Sequence, residues 1–210
     1  MKENDKNSKN IYQSLILKGI KKANLKKYND SEKYFKKAIL INEKKIEAYI
    51  NLSNLYILQK KKQNCRDILL NYLLKNKFNE EIAIHAAKVF YNYNLINEFK
   101  ELFKIINPHL KIFSKNRKQL YFIQGQQFER EENYKKAENS YLNSILSDEH
   151  SFESYIKLLN LYEKTNQLSK FKLFLKRAIK KFNNLNHKTI LVYYQSLLLN
   201  REKNYKESYD

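Results

Sequence analysis

Cys65, four histidines and one cluster of glutamates are the residues of this chain whose types lend themselves most readily to chemistry. A lone cysteine closes no internal disulfide and builds no thiolate metal cluster. To act as a nucleophile Cys65 would need a histidine to take its proton, and the nearest in the sequence is His85, in the next helical stretch. The cysteine reads instead as a small apolar residue in a helix contact. His85, His109, His150 and His187 are isolated, with no His-x-x-x-His or Glu-x-x-His spacing to put two metal ligands on one helix face. Glu129, Glu131 and Glu132 close one helical stretch and enter the turn after it, beside Lys135 and Lys136, and read as solvated charge rather than an acid/base pair. Gly19 and Gly125 both lie inside helical stretches, so neither opens a phosphate-cradling loop. No catalytic residue, metal or cofactor is expected, and the chemistry to look for is binding.

The elements that would position a binding surface are legible in the apolar spacing. From Lys118 to Glu149, Tyr121, Gln124, Gly125 and Phe128 are followed across a polar gap by Tyr134, Ala137, Tyr141 and Ser144, both at helix-face steps. Gly125 and Ala137 are small among aromatics, as two antiparallel helices require where their backbones come close. The same hairpin recurs. Gly19 and then Tyr28, Ser31, Phe35 and Ala38 mark the first; Lys18 and Lys22 on its first helix stand where apolar residues are expected, which predicts a looser pair. Tyr49, Leu52, Ser53 and Tyr56, then Cys65, Leu69 and Tyr72, mark the second. Ala83, Ala86, Ala87 and Phe90, then Phe99, Phe103 and Ile106, mark the third, with Phe99 at the small slot and Ala86 and Ala87 making room for it. Tyr155, Leu158, Leu159 and Tyr162, then Phe171, Leu175 and Ala178, mark the fifth. Val192, Gln195, Ser196 and Leu199 begin a sixth, whose second helix opens at Tyr205 and Ser208 and stops. Aligning Tyr28, Lys62, Ile96, Tyr134, Leu168 and Tyr205 gives steps of 34, 34, 38, 34 and 37 residues. Such a register points to an all-α α-solenoid of about five and a half helix pairs. Residues 1–10 form a polar, frayed start, 11–107 hold repeats 1–3, 108–116 form a linker where Pro108 stops a helix and bends the array, and 117–210 hold repeats 4–6.

Composition agrees. Two glycines and one proline leave little for tight strand turns, while 42% apolar and 14% aromatic residues suffice for a continuous core. Lys and Arg number 41 against 22 Asp and Glu, for a formal charge of +19. Nearly all of that is lysine spread along the chain, whereas phosphate and base recognition recruits arginine, so no specific nucleic-acid partner is expected. The wealth of Lys, Asn, Ile and Tyr has the look of an AT-rich genome. The first residues lack the apolar core of a signal peptide and no stretch approaches the ~18 apolar residues of a membrane span, so a cytoplasmic location is expected.

These residues resemble tetratricopeptide repeats, over about residues 12 to 210. Tyr121, Gly125, Phe128, Tyr134, Ala137 and Tyr141 carry the resemblance best, then Tyr49, Leu52, Ser53 and Tyr56; the proline that usually closes each repeat is replaced by Glu43, Lys77 and Glu149. The resemblance implies a right-handed α-solenoid with a concave groove, lined by the first helix of each pair, that takes a peptide or a partner helix. Carried over repeat by repeat, the groove positions are Ile50, Asn54 and Ile57; Ile84, Lys88 and Tyr91; Phe122, Gln126 and Arg130; Ile156, Asn160 and Lys164. Family members that grip a terminal carboxylate place a lysine one turn before the groove asparagine; Ile50 and Ile156 stand there, so no such clamp is expected. Asn54 and Asn160 could bond a peptide backbone or simply be solvated. The expected function is a protein-interaction scaffold. The alternative comes from a resemblance in style to the amino-terminal repeats of bacterial sulfotransferases: a substrate-recognition arm whose catalytic domain lies beyond residue 210. The half-formed last pair, with Val192, Leu198 and Leu199 lacking a partner helix, leads to the expectation of a longer parent protein.

Overall fold

The computed structural model describes the backbone of residues 2–111 and 117–207 and the side chains of residues 8–110 and 117–201. Among these residues there are eleven α-helices, one 3-10 turn and no strand. The chain divides into two compact units, Met1–His109 and Leu110–Asp210. Each is an α-solenoid segment of antiparallel helix pairs. In the first unit α1 (Lys2–Asn24) pairs with α2 (Tyr28–Ile41), α3 (Ile46–Leu58) with α4 (Lys62–Lys75), and α5 (Glu80–Asn92) with α6 (Ile96–Ile106). In the second, α7 (Lys118–Arg130) pairs with α8 (Tyr134–Ser147) and α9 (Phe152–Lys164) with α10 (Leu168–Lys181), and α11 (Leu185–Glu207) packs on α10.

Tyr28, Lys62, Ile96, Tyr134 and Leu168, the residues aligned from the sequence, are the first residues of the second helix in each pair. Tyr205 is not: it lies within α11, in the same unbroken helix as Val192, and Ser208 falls outside the described residues. Helix α1 takes in residues 2–10, which composition sets apart as a polar start. Of the linker expected at 108–116, residues 108–111 belong to the 3-10 turn Asn107–Lys111 and 112–116 lie outside the described residues.

The turn inside each pair has no glycine. Lys26, Lys60, Asn94, Glu132 and Asn166 adopt φ between 53° and 58°, the left-handed conformation. Their amides and those of the next residues close paired hydrogen bonds back onto the helix, as in Lys60 N–H to the Ile57 carbonyl at 2.9 Å and Lys61 N–H to the Tyr56 carbonyl at 2.8 Å. This is the Schellman closure, which satisfies two carbonyls at the end of the helix. A side chain in that conformation costs about 1–2 kcal/mol relative to glycine, so a non-glycine turn is held by its surroundings. Between pairs, the missing prolines are replaced by side-chain turns: Asn42 Oδ1 accepts from Lys44 N–H at 3.1 Å and Asp148 Oδ1 from His150 N–H at 3.1 Å.

Helix packing follows the small slots. A Cβ on Gly19 would lie 2.5 Å from the Phe35 ring, and one on Gly125 would lie 2.5 Å from the Tyr141 ring. At the equivalent places in register Ser53 stands opposite Leu69 and Ala87 opposite Phe103, a smaller residue on one helix with a larger one on the other, while Leu159 and Leu175 divide the space equally. The first pair is not loose. Helices α1 and α2 are among the most closely apposed neighbours, because Tyr12, Ile16 and Gly19 make the inner face while Lys18 points to solvent and Lys22 reaches Asp30 at 3.5 Å.

Candidate functional site

The isolated chemical groups have structural surroundings. Cys65 is fully buried, and burial pushes its thiol up to about 12, so it stays protonated and inert. His85 Nε2 lies 2.8 Å from Ser53 Oγ, whose own proton goes to the Ile50 carbonyl at 2.8 Å; the imidazole therefore donates, and it ties α5 to α3. Burial, and then the Lys88 ammonium, lower the His85 pKa below its ordinary value. His109 stacks on Phe78 with centroids 4.6 Å apart. His187 stacks on Phe152 at 3.7 Å, and its backbone N–H, like its Nδ1, bonds the Asn184 side chain at 2.8 Å, which fixes the start of α11. His150 is exposed, 3.8 Å from Glu149. Glu129 accepts from the buried Tyr141 hydroxyl at 2.6 Å and from Lys157 at 3.1 Å. Among the described residues no three His, Cys, Asp or Glu side chains come together as metal ligands.

The remaining candidate surface is the outward face of the first helices. Ile50, Ile84, Phe122 and Ile156 each hold the fifth position of their helix, half-buried. Asn54, Lys88, Gln126 and Asn160 hold the ninth, one turn further along the same face. Ile57 and Tyr91 hold the twelfth, but Arg130 and Lys164 are the thirteenth and last residues of α7 and α9. The residues in register with Ile57 and Tyr91 are Glu129 and Glu163. A strict offset of 38 and then 34 residues from Tyr91 would have found them in the sequence.

That difference splits the surface. In the first unit, Ile50, Asn54, Ile84, Lys88 and Tyr91 share the face of α3 and α5, where the Ser53–His85 bond joins the two helices. Among the described residues neither the Asn54 nor the Lys88 side chain has a hydrogen-bond or ion-pair partner. In the second unit ion pairs cross the face: Lys157 to Glu129 at 3.1 Å, and Arg201 to Glu163 at 2.5 Å. Phe122 lies against Tyr141 with centroids 5.9 Å apart, and Asn160 Oδ1 accepts from the Tyr194 hydroxyl at 2.6 Å. Lys164 stands over the Tyr134 ring at 5.0 Å, and the closeness of that tyrosine raises its pKa. No helix among the described residues is long and apolar enough to cross a membrane.

No family model and no curated protein matches the chain. Solved structures do match it. PilF of Pseudomonas aeruginosa superposes with a TM-score of 0.61 at 10% identity, over 93% of this chain and 88% of that one. Yeast Tom70 gives 0.65 at 15% identity, over 90% of this chain and 40% of that one. YrrB, described as a TPR protein with an unusual peptide-binding site, gives 0.53 at 13% identity over 90% of both chains. At these identities the likeness establishes the fold: the chain has the helix-pair solenoid of tetratricopeptide-repeat proteins.

Proposed function

We propose that the chain is a protein-interaction scaffold, and that an extended peptide or a partner helix binds the first-helix face of the first unit. The observation that carries this reading is the pair of polar side chains on α3 and α5, Asn54 and Lys88, that have no hydrogen-bond or ion-pair partner among the described residues. Half-buried Ile50 and Ile84 offer an apolar floor that needs little further dehydration. Beside it the exposed Asn54 amide can both donate to and accept from a peptide backbone, and the exposed Lys88 ammonium can meet a carbonyl or a carboxylate. YrrB's described peptide-binding site lends support by analogy of fold. Arg130, Gln126, Phe122, Asn160 and Lys164 belong to the same proposal as a second face, already engaged in part by its own side chains. A cytoplasmic setting goes with it. The sulfotransferase-arm alternative rests on the style of the repeats alone, and sequencing beyond Asp210 tests it.

A displayed library of 12-residue peptides, selected on the full chain, provides the test. Selected peptides should lose at least about tenfold in affinity to Ile84→Asp and Lys88→Glu, as expected when a buried or charge-matched contact is removed. Peptides that bind both variants as tightly as the parent would refute the reading.

A further inference from the structure

We infer that the outer face of α10 docks on an anionic lipid surface. This helix buries Phe171, Phe174, Leu175 and Ala178 against its neighbours and turns Lys172, Leu173, Lys176, Arg177, Ile179 and Lys180 to solvent. It carries six cations and no acid. Each of the other second helices contains acid: Asp30 and Glu32 in α2, Asp67 in α4, Glu98 and Glu101 in α6, Glu138 in α8. A lysine-rich composition acts on all five helices alike, so it does not account for the one helix without an acid. Lys170 and Lys181 are bridged to Glu138 and Glu149, at 2.7 Å each, and Arg177 lies over the Phe174 ring at 5.2 Å. Among the described residues Lys176 and Lys180 have no acidic partner. They stand one turn apart in line with Lys172, an arrangement that costs a helix stability unless something outside it supplies negative charge.

Charge complementarity selects a polyanion, and two aliphatic side chains select which kind. Leu173 is 49% exposed and Ile179 37% exposed, both among these cations. A nucleic-acid backbone gives them no apolar medium, and it is gripped by arginine and stacked aromatics; this face has one arginine, already on Phe174, and no exposed aromatic ring. A bilayer interface accommodates both groups. Lysine heads sit at the level of the phosphates while their stems and the two aliphatic residues enter the acyl boundary. Each lysine near such a surface is worth about fivefold in partitioning. The association is peripheral, since no described helix can span a bilayer.

The test is flotation of the full chain with phosphatidylcholine vesicles, with and without about 30% phosphatidylserine, at low and high salt. Binding is expected only to the anionic vesicles, and it should fall with salt. Lys176→Glu with Lys180→Glu should weaken it at least tenfold, roughly two lysines' worth. Leu173→Asn with Ile179→Asn should weaken it several-fold while leaving the salt dependence. Lys33→Glu with Lys37→Glu, the same charge change on the exposed face of α2, should change it less than about twofold. All these positions are exposed, and unchanged thermal melts establish that each variant folds. Equal loss in the α2 variant would overturn the proposal in favour of diffuse charge. Insensitivity to the aliphatic pair, together with full competition by a single-stranded oligonucleotide, would overturn it in favour of a nucleic-acid surface.

Discussion

Helices α1–α4 and α7–α10 are built on the same plan in different materials. Gly19 against Phe35 matches Gly125 against Tyr141, and the Tyr56 hydroxyl donating to Glu32 at 3.1 Å matches Tyr162 donating to Glu138 at 2.9 Å. Where the first unit buries Ala38 and Ala48, however, the second buries Ser144 and Ser154 at the equivalent places, all four fully enclosed. Ser144 donates to the Lys118 carbonyl at 2.9 Å, so Ser154, 2.8 Å away, must donate to Ser144, and Ser151, 2.9 Å from Ser154, must donate to Ser154. A chain of hydroxyls thus replaces two methyl groups. The cross-links between first helices differ in the same way: a neutral Ser53–His85 bond in one unit, a Glu129–Lys157 ion pair in the other. Volume at a helix contact is restricted to what the backbone spacing leaves; polarity is free to vary where, as along Ser151, Ser154 and Ser144, each hydroxyl finds an acceptor.

The largest expected effect is at what the two units share. Gly125→Leu forces side-chain atoms into the Tyr141 ring and should cost about 3 kcal/mol in urea denaturation, and Gly19→Leu should cost as much against Phe35. Adding Tyr141→Leu should recover most of the loss, since it recreates the Leu159–Leu175 pairing of the next hairpin. A double variant no better than the single one would mean that the glycine serves something other than the ring.

A smaller effect separates the units. Ser154→Ala leaves the Ser151 hydroxyl without its acceptor and should cost about 1–2 kcal/mol, whereas Ser144→Ala with Ser154→Ala approaches the first unit's solution and should cost no more than the single change. Ala48→Ser, a hydroxyl placed among buried groups of the first unit, should destabilise by about 1–3 kcal/mol. Denaturant midpoints of the four proteins decide whether the polarity is as interchangeable as the pairing suggests.

The smallest effect is a pH dependence confined to the first unit. Burial holds His85 below its ordinary pKa of about 6.5, so the unfolded chain takes up a proton more readily than the folded one. Stability is therefore full above about pH 6.5 and declines as pH falls from there toward the folded-state pKa. Hydrogen-exchange protection factors, which divide out the intrinsic pH dependence of amide exchange, should fall between pH 7.5 and 5.5 more in α3 and α5 than in α7 and α9, and His85→Gln should abolish the difference. Equal change in both pairs would assign the effect elsewhere.

Helix type, helix starts and the small slots were legible because a buried face must recur with the helix period, and a repeat must keep its length to stack on its neighbour. The left-handed turns at Lys26, Lys60, Asn94, Glu132 and Asn166 were not, because no glycine marks them. On the candidate face, the fifth and ninth positions followed from the period. The placing of Arg130 and Lys164 beside Ile57 and Tyr91 did not hold register, since one residue along a helix turns the side chain by about 100°. The unbroken course of α11 through Tyr205 was also hidden. By itself the sequence determined an all-α array of helix pairs with a register of 34 residues. Which polar groups meet across it, His85 with Ser53, Glu129 with Lys157, Ser154 with Ser144, was decided only in three dimensions. Apolar periodicity is a property of one helix, but a hydrogen bond or an ion pair depends on the separation of two helices to within an ångström, and no spacing along one strand of sequence encodes that distance.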